Sequence, residues 1–214
     1  MAGKATGAVR AVDAAQGAAG SKQPRTARGE RTRAKLIAAA AAEFGERGFS
    51  EASISGITAR AGTALGTFYT YFESKDEIFR SLVRDLSDQV RERAAAAITP
   101  EMGALETERN ALAAFLNFAR EHKEVYRIID EAEFVDPASY REHYERTAQR
   151  LTERLQRGAK QGELREGLEE AHAWALMGMN VFLGLRYSLW GTERDLDEVA
   201  DIANTLLREG IARK

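Results

Sequence analysis

The sequence predicts an all-α protein in two parts: three short helices in front and a larger helical bundle behind. Three observations predict this. Apolar residues recur at spacings of three and four along most of the chain, the period of a helix with one buried face. No stretch shows the strict apolar–polar alternation of a half-buried strand. Pro100, Pro137, Gly158, Gly162, Gly167 and Gly191 punctuate the pattern and divide it into segments of helical length.

Residues 1–28 form the first segment. They are mostly Ala and Gly, with Lys4, Arg10, Lys22, Arg25 and Arg28 scattered among them. So few large apolar side chains cannot offset the entropy of ordering, which predicts a disordered cationic tail. A first amphipathic helix follows from about Thr32 to Phe44, with Leu36, Ile37, Ala40, Ala41 and Phe44 on its buried face. The Gly45–Gly48 stretch ends it. Ile54, Ile57 and Ala61 give a short second helix, with Ser53 as N-cap and Gly62 as C-terminal stop. A third runs from about Ala64 to Thr70. Ser74 then caps a fourth beginning at Lys75, with Ile78, Leu82 and Leu86 facing inward. Further helical patterns cover about 106–122, 124–134, 137–161, 168–190 and 195–212. The predicted division is a tail at 1–28, a front domain at 29–74 and a bundle at 75–214.

Composition removes several functional classes. The 214 residues contain no Cys, so disulfides, thiolate metal sites and cysteine nucleophiles are absent. His122, His143 and His172 share no ligand spacing, and neither a phosphate-binding Gly loop nor a serine-nucleophile motif occurs. The expectation is a non-enzyme without metal or cofactor. No apolar run approaches a membrane span or a secretory signal, which predicts a soluble cytoplasmic protein. The formal net charge of −2 hides an asymmetry: residues 1–80 carry +4 and the remainder −6. A basic front on an acidic body suggests that the front meets a polyanion.

Two short helices joined by a tight turn containing Gly make a helix-turn-helix, whose second helix can enter the major groove of DNA. Ile54–Ala61 is the crossing helix, Gly62-Thr63 the turn, and Ala64–Thr70 the reading helix. Thr63, Ala64, Gly66, Thr67 and Thr70 are small or polar, which lets the backbone approach base edges. Phe68 faces inward, and Leu65 either packs inward or touches a thymine methyl. The run GFSEASISGITARAGTALGTFYTYFESKDEIF, within Thr32–Leu82, resembles the DNA-binding domain of the tetracycline-repressor (TetR/AcrR) family. The matching pieces are Phe44-Gly45-Glu46-Arg47-Gly48-Phe49, Ile57-Thr58-Ala59-Arg60-Ala61-Gly62, Gly66-Thr67-Phe68-Tyr69 and Tyr71-Phe72-x-Ser74-Lys75. The resemblance implies phosphate contacts from the Tyr69 and Tyr71 hydroxyls. It implies a phosphate held by Lys75 at the start of the fourth helix, and a capping and backbone-contact role for Ser53. Thr63, Ala64, Gly66 and Thr67 match the base-reading positions. Two residues depart from the family pattern. Gly56 replaces an acidic capping-box residue, which predicts a less rigid second helix. Leu65 replaces a frequent Lys or Arg, which removes a possible contact.

The resemblance further implies a bacterial, ligand-responsive regulator, by family default a repressor. It would dimerise through its last two helices on a pseudo-palindromic double-stranded DNA operator. The 168–190 segment is apolar nearly all round, so one face should pack into its own subunit and another into a partner. Gly178 and Gly184 there should allow close helix approach. A small effector would bind inside the bundle and move helix four. Candidate lining residues are Phe115, Phe118, Tyr126, Ile129, Phe134, Tyr140, Tyr144, Trp174, Met177 and Phe182, with ordinary core as the alternative for each. Such a lining suits an apolar or aromatic effector, a fatty-acyl or aromatic-acid derivative among them. Asp130, Glu131 and Glu133 either rim the pocket, pair with Arg127 and Arg186, or face solvent. Arg186, set in an apolar helix, is expected to need a buried carboxylate.

Overall fold

The structure is a computed structural model that describes residue 24, residues 26–191 and residues 193–210. Among the described residues there are nine α-helices and no strand. They are α1 (Ala27–Glu51), α2 (Ile54–Ala61), α3 (Leu65–Tyr71), α4 (Lys75–Ala96), α5 (Ala104–Glu121), α6 (Glu124–Val135), α7 (Pro137–Lys160), α8 (Glu170–Gly184) and α9 (Leu196–Glu209). The end of α8 widens into π-helical turns over Leu185–Trp190. Most of the predicted tail lies outside the described residues, but residue 24 and residues 26–28 do not. The Thr26 side chain accepts a hydrogen bond from Gly29 N at 3.1 Å, so α1 starts at Ala27 and the tail ends earlier than 28. Residues 211 and 212 of the expected last helix also lie outside.

Local capping chemistry sets the front half. The Ser53 side chain accepts from Gly56 N at 3.0 Å and starts α2. Gly62, at φ 61° and ψ 40°, ends it in the left-handed conformation. The Ser74 side chain accepts from Glu77 N at 3.1 Å, while the Glu77 carboxylate accepts from Glu73 N at 2.6 Å. The two bonds, one from the N-cap and one to the residue before it, fix the start of α4. The first helix runs past the expected stop at Gly45 and bends at Gly48, at φ 78° and ψ 166°.

The core beneath this half joins Leu36, Phe44, Ile57, Phe68, Phe72 and Phe79 to Phe118, Val125 and Ile128 of α5 and α6. Apolar packing is therefore continuous across Ser74. Two smaller clusters build the rest. Leu112 and Leu116 of α5 pack on Leu196, Val199 and Ala203 of α9, and Ala148 and Leu151 of α7 on Ala173, Leu176 and Met177 of α8. Trp174, Phe182 and Trp190 of α8 and its extension, and Ile202, Leu206 and Leu207 of α9, stay exposed. Among the described residues no helix is long and apolar enough to cross a membrane.

Candidate nucleic-acid interface and internal cavity

The third helix is anchored by one ring and presents the rest. Phe68 is fully buried, whereas Leu65 is 51% and Tyr69 48% exposed. Leu65 thus takes the outward option. Ser53, Ala64, Gly66 and Thr70 are exposed, and Thr63, Thr67 and Tyr71 partly so. A Cβ at Gly66 would meet nothing within 4 Å, so the backbone here is open to a close-approaching surface. The Thr70 hydroxyl donates to Gly66 O at 3.2 Å, whereas the Thr63 hydroxyl oxygen is buried without a partner. The Tyr71 hydroxyl lies beside Gly29, bringing the start of α1 next to the reading helix.

Gly56 has a reason the sequence did not disclose. The Glu43 carboxylate, 3% exposed, lies against α2 where a Cβ on residue 56 would collide with it. Glu43 accepts from Arg60 Nε at 2.7 Å and meets Arg47 at 3.4 Å, while Arg60 also clasps Glu46. Those hydrogen bonds push the Arg60 guanidinium above its ordinary range. The glycine admits a buried carboxylate that ties α1 to α2, so it fastens α2 where a loosened helix was expected.

Lys75 requires a correction. Its ammonium donates to the carbonyls of Phe49 at 2.7 Å, Ala52 at 3.0 Å and Ser50 at 3.2 Å, and lies 4.5 Å from the Phe49 ring centroid. A lysine has three donors, and all three are engaged at the C-terminal end of α1. Instead of projecting toward a phosphate, the group caps carbonyls that α1 leaves unpaired. The Ser74 side chain has meanwhile satisfied Glu77 N, one of the N–H groups that a phosphate at α4 would use.

The same end of α1 is held from α6. Arg127 Nη1 donates to Gly45 O at 3.0 Å and Glu46 O at 3.1 Å. Glu131 accepts from Phe49 N at 2.7 Å and pairs with Arg127 at 3.2 Å. A Cβ at Gly48 would sit 2.6 Å from both Arg127 Nη2 and Glu131 Oε1. Glu131 thus takes the Arg127 pairing. Arg186 does not bear out its expectation. It is exposed, makes no ion pair among the described residues, and lies over the Tyr187 ring at 5.1 Å.

A cavity of about 200 Å³ lies inside the bundle, between α4, α5, α7 and α8. Of the candidate residues, Phe115, Tyr144 and Met177 line it. Tyr140, Trp174 and Phe182 line a neighbouring open cleft instead, which shares Tyr144, Met177 and Val181 with the cavity. Phe118 and Ile129 are solid core against α1 and α4, and Phe134 is 83% exposed. These three are not lining residues. The Tyr126 hydroxyl donates to Val181 O at 2.8 Å and packs on Gly184, so Tyr126 joins α6 to α8 and makes wall rather than lining. Gly184 permits this close approach, whereas a Cβ at Gly178 would meet nothing within 4 Å.

The sequence reading missed the cavity's polar members. Arg91, His143, Arg150, Arg154 and Asn180 also line it. Asn180 Oδ1 is buried without a partner. Burial, then the nearby Arg150 charge, pushes His143 down to about 4. Arg154 makes a two-pronged ion pair with the buried Glu108, at 2.6 and 2.8 Å. The readable signal was the spacing of four in Arg146, Arg150 and Arg154, which marks one helix face. Among the described residues no group of three or more His, Asp or Glu is placed to hold a metal ion.

Comparison with known proteins places this arrangement. A sequence model of bacterial regulatory proteins, tetR family, matches residues 36–82. The HTH-type transcriptional regulator YdgC of Bacillus subtilis (strain 168) is 29% identical over 185 residues, covering 84% of this chain and 93% of the relative. A TetR-like transcriptional regulator from Rhodococcus sp. RHA1 superposes with a TM-score of 0.69 at 27% identity, over 90% of this chain and 100% of that one. The transcriptional regulator FadR from Bacillus subtilis, solved in complex with stearoyl-CoA, shares the fold with a TM-score of 0.74 at 22% identity, over 84% and 99% of the two chains.

Proposed function

The chain belongs to the tetR family of bacterial regulatory proteins, and from that premise we propose that it is a ligand-released transcriptional repressor. It binds a pseudo-palindromic operator as a homodimer, and a small fatty-acyl effector in the bundle cavity releases it. One observation carries this reading. The two ends of α4 serve two different sites. Ile78, Phe79 and Leu82 lie in the core that seats Phe68 and Phe72 of the reading head, while Val90, Ala94 and Ala95 line the cavity. A ligand that repositions the second half of α4 must move the first half, and with it α3.

On DNA, Thr63, Ala64, Gly66, Thr67 and Thr70 approach the base edges, and the Ser53, Tyr69 and Tyr71 hydroxyls take phosphates. Phosphate contacts set affinity and base contacts set sequence choice. The exposed apolar residues of α8 and α9 supply the dimer face, since a patch of that character on a free surface calls for a partner. A two-fold dimer then presents two heads to two half-sites. The fatty-acyl choice draws on the aliphatic and aromatic cavity lining and on the stearoyl-CoA bound by the Bacillus subtilis neighbour. To swing a 1:99 equilibrium to 99:1, the effector must prefer the released conformer by about 10⁴-fold, roughly 5.5 kcal/mol.

The test is a fluorescence-anisotropy titration at two salt concentrations. The probe is duplex DNA from upstream of the chain's own coding sequence, with a scrambled duplex as control. The expected result is preference for the native fragment, lost steeply with salt, and release on adding palmitoyl-CoA. Equal binding to both duplexes, by protein shown by mass spectrometry to carry no ligand, would refute operator recognition at this locus. A reporter driven by the bound promoter that falls silent when the regulator is deleted would refute repression.

A further inference from the structure

The cavity does not close on apolar atoms alone. Arg91, His143 and Arg150 line it, and the same three residues line a small outer cleft of about 80 Å³ between α4 and α7. Arg84 and Arg146 add to that cleft, so four arginines face two carboxylates. Asp88 meets Arg91 at 3.4 Å, and Glu142 pairs with Arg146. Arg84 and Arg150 make no ion pair among the described residues. Arg150 Nη2 donates to Thr147 Oγ1 at 3.0 Å, and burial with the charges of Arg91, Arg154 and Arg146 pushes its pKa down.

His143 adds no charge. Its Nδ1 lies 2.7 Å from Ser87 Oγ, and the Ser87 proton already goes to Val83 O at 2.7 Å. His143 must therefore donate from Nδ1, and with a pKa of about 4 the ring is neutral at pH 7. The excess charge in the cleft belongs entirely to guanidinium groups. Clustered like charges, one of them half-buried and unpaired, are costly in the empty protein and are relieved by an anion. One carboxylate can engage one guanidinium fork, whereas a phosphate-bearing group offers enough oxygens for several.

We propose that the α4–α7 cleft holds the phosphate-bearing head of an effector whose acyl chain fills the adjoining cavity, so that the protein reads a phosphorylated acyl compound in preference to the free acid. The proposal rests on the fatty-acyl reading above and specifies the other end of the ligand. It also supplies a reason for release. Arg84 and Arg91 lie on α4, and Arg146 and Arg150 on α7, so a bound head ties α4 to α7. Only a ligand with different affinity for the two conformers can shift them, and a head that bridges α4 and α7 favours the conformer whose helix spacing it fits.

The experiment measures binding by isothermal titration calorimetry and DNA release by anisotropy. The probes are palmitoyl-CoA, 1-palmitoyl lysophosphatidate, palmitate and coenzyme A alone. Palmitoyl-CoA or the lysophosphatidate should act at concentrations at least about tenfold below palmitate, and the tighter of the two identifies the source of the phosphate. Raising the salt should shrink that gap, because the head contact is ionic. The Arg84→Gln/Arg150→Gln variant should bring the phosphorylated ligands to the potency of palmitate and leave palmitate unchanged. Arg84→Gln alone, at an exposed and unpaired position, should close part of the gap without touching the fold. Equal potency of palmitate and both phosphorylated ligands in the native protein would overturn the head site, as would an unchanged gap in the variants. Failure of all three acyl probes to bind would overturn the fatty-acyl reading itself.

Discussion

Replacing Lys75 with Met separates two roles for one ammonium. In the structure it donates to three carbonyls at the end of α1, at 2.7, 3.0 and 3.2 Å, and lies 4.5 Å from the Phe49 ring centroid. Met keeps most of the apolar stem and removes the charge. A hydrogen bond to a charged group contributes about 1.5–3 kcal/mol net, and a cation at a partly buried helix C-terminus up to ~2 kcal/mol. A cation over a ring adds about 0.5–1 kcal/mol. These contributions share one group and do not add, so about 3 kcal/mol is a reasonable total. For a chain of this length that lowers Tm by roughly 6–12 °C. A lost phosphate contact has a different signature: the slope of log K against log salt becomes shallower by about 0.9. The expected result for Lys75→Met is a large drop in Tm with an unchanged salt slope in operator binding. A Tm within about 1 °C of the native protein, with a slope flatter by about one, would refute the capping argument and restore Lys75 to the DNA backbone.

Three further outcomes follow from the geometry. Gly48→Ala and Gly62→Ala both place a side chain at positive φ, at 78° and 61°, but only Gly48 is crowded, by Arg127 and Glu131. Gly62→Ala should cost about 1–2 kcal/mol from backbone conformation alone. Gly48→Ala should cost clearly more, and equal losses in thermal melts would remove the crowding argument. His143 titrates near 4 folded against 6.5 unfolded, so the folded state binds fewer protons between those values. The native protein should therefore lose stability relative to His143→Gln as pH falls from about 6.5 to 4, with no further divergence below; parallel melting curves would contradict this. Phe182 and Trp190 are 70% and 71% exposed on the proposed dimer face, so Phe182→Asp/Trp190→Asp should sediment as a folded monomer. An intact dimer would move the interface elsewhere.

The front half was legible because its signals are local. Ser53, Gly62 and Ser74 act on residues two to four positions away, and the structure uses each as a cap. Signals that required a distant partner misled. Gly45 reads as a helix stop, yet α1 continues through it, and a Cβ there would lie 2.5 Å from the Glu124 Cβ. The glycine serves the approach of α1 to α6. The position of Lys75 fixes where its backbone begins α4 but not which carbonyls its side chain reaches, and these lie 23 to 26 residues earlier. Helical periodicity shows which face of a helix is buried. It does not show whether that face meets solid core or a hollow, which is why Phe118 and Phe115 looked alike and were separated only by packing.

The end of α1 is where these contacts meet, and its construction explains how a ligand inside the bundle can reach the reading head. Lys75 grips it from α4, Arg127 and Glu131 from α6, and Glu43 and Glu46 bind it to Arg60 of α2. The α6 grip has its own line to the cavity, because Val125 lines it and Tyr126 is bonded to α8 through Val181 O. Such bonds tolerate little displacement: from 2.7–3.1 Å, a shift of about 1 Å leaves the hydrogen-bonding range. The α1–α6 contact therefore either holds or breaks, and α1 with α2 follows α6 or is released from it. An effector that moves α4 or α6 by that distance acts on the reading head through ionic and polar contacts as well as through the shared apolar core. On this argument Glu131→Gln, which keeps the size but weakens the pairing with Arg127, should reduce the release of DNA by effector more than it reduces DNA binding in its absence. An equal loss in both would mean that the clasp only stabilises the fold and that α4 alone carries the signal.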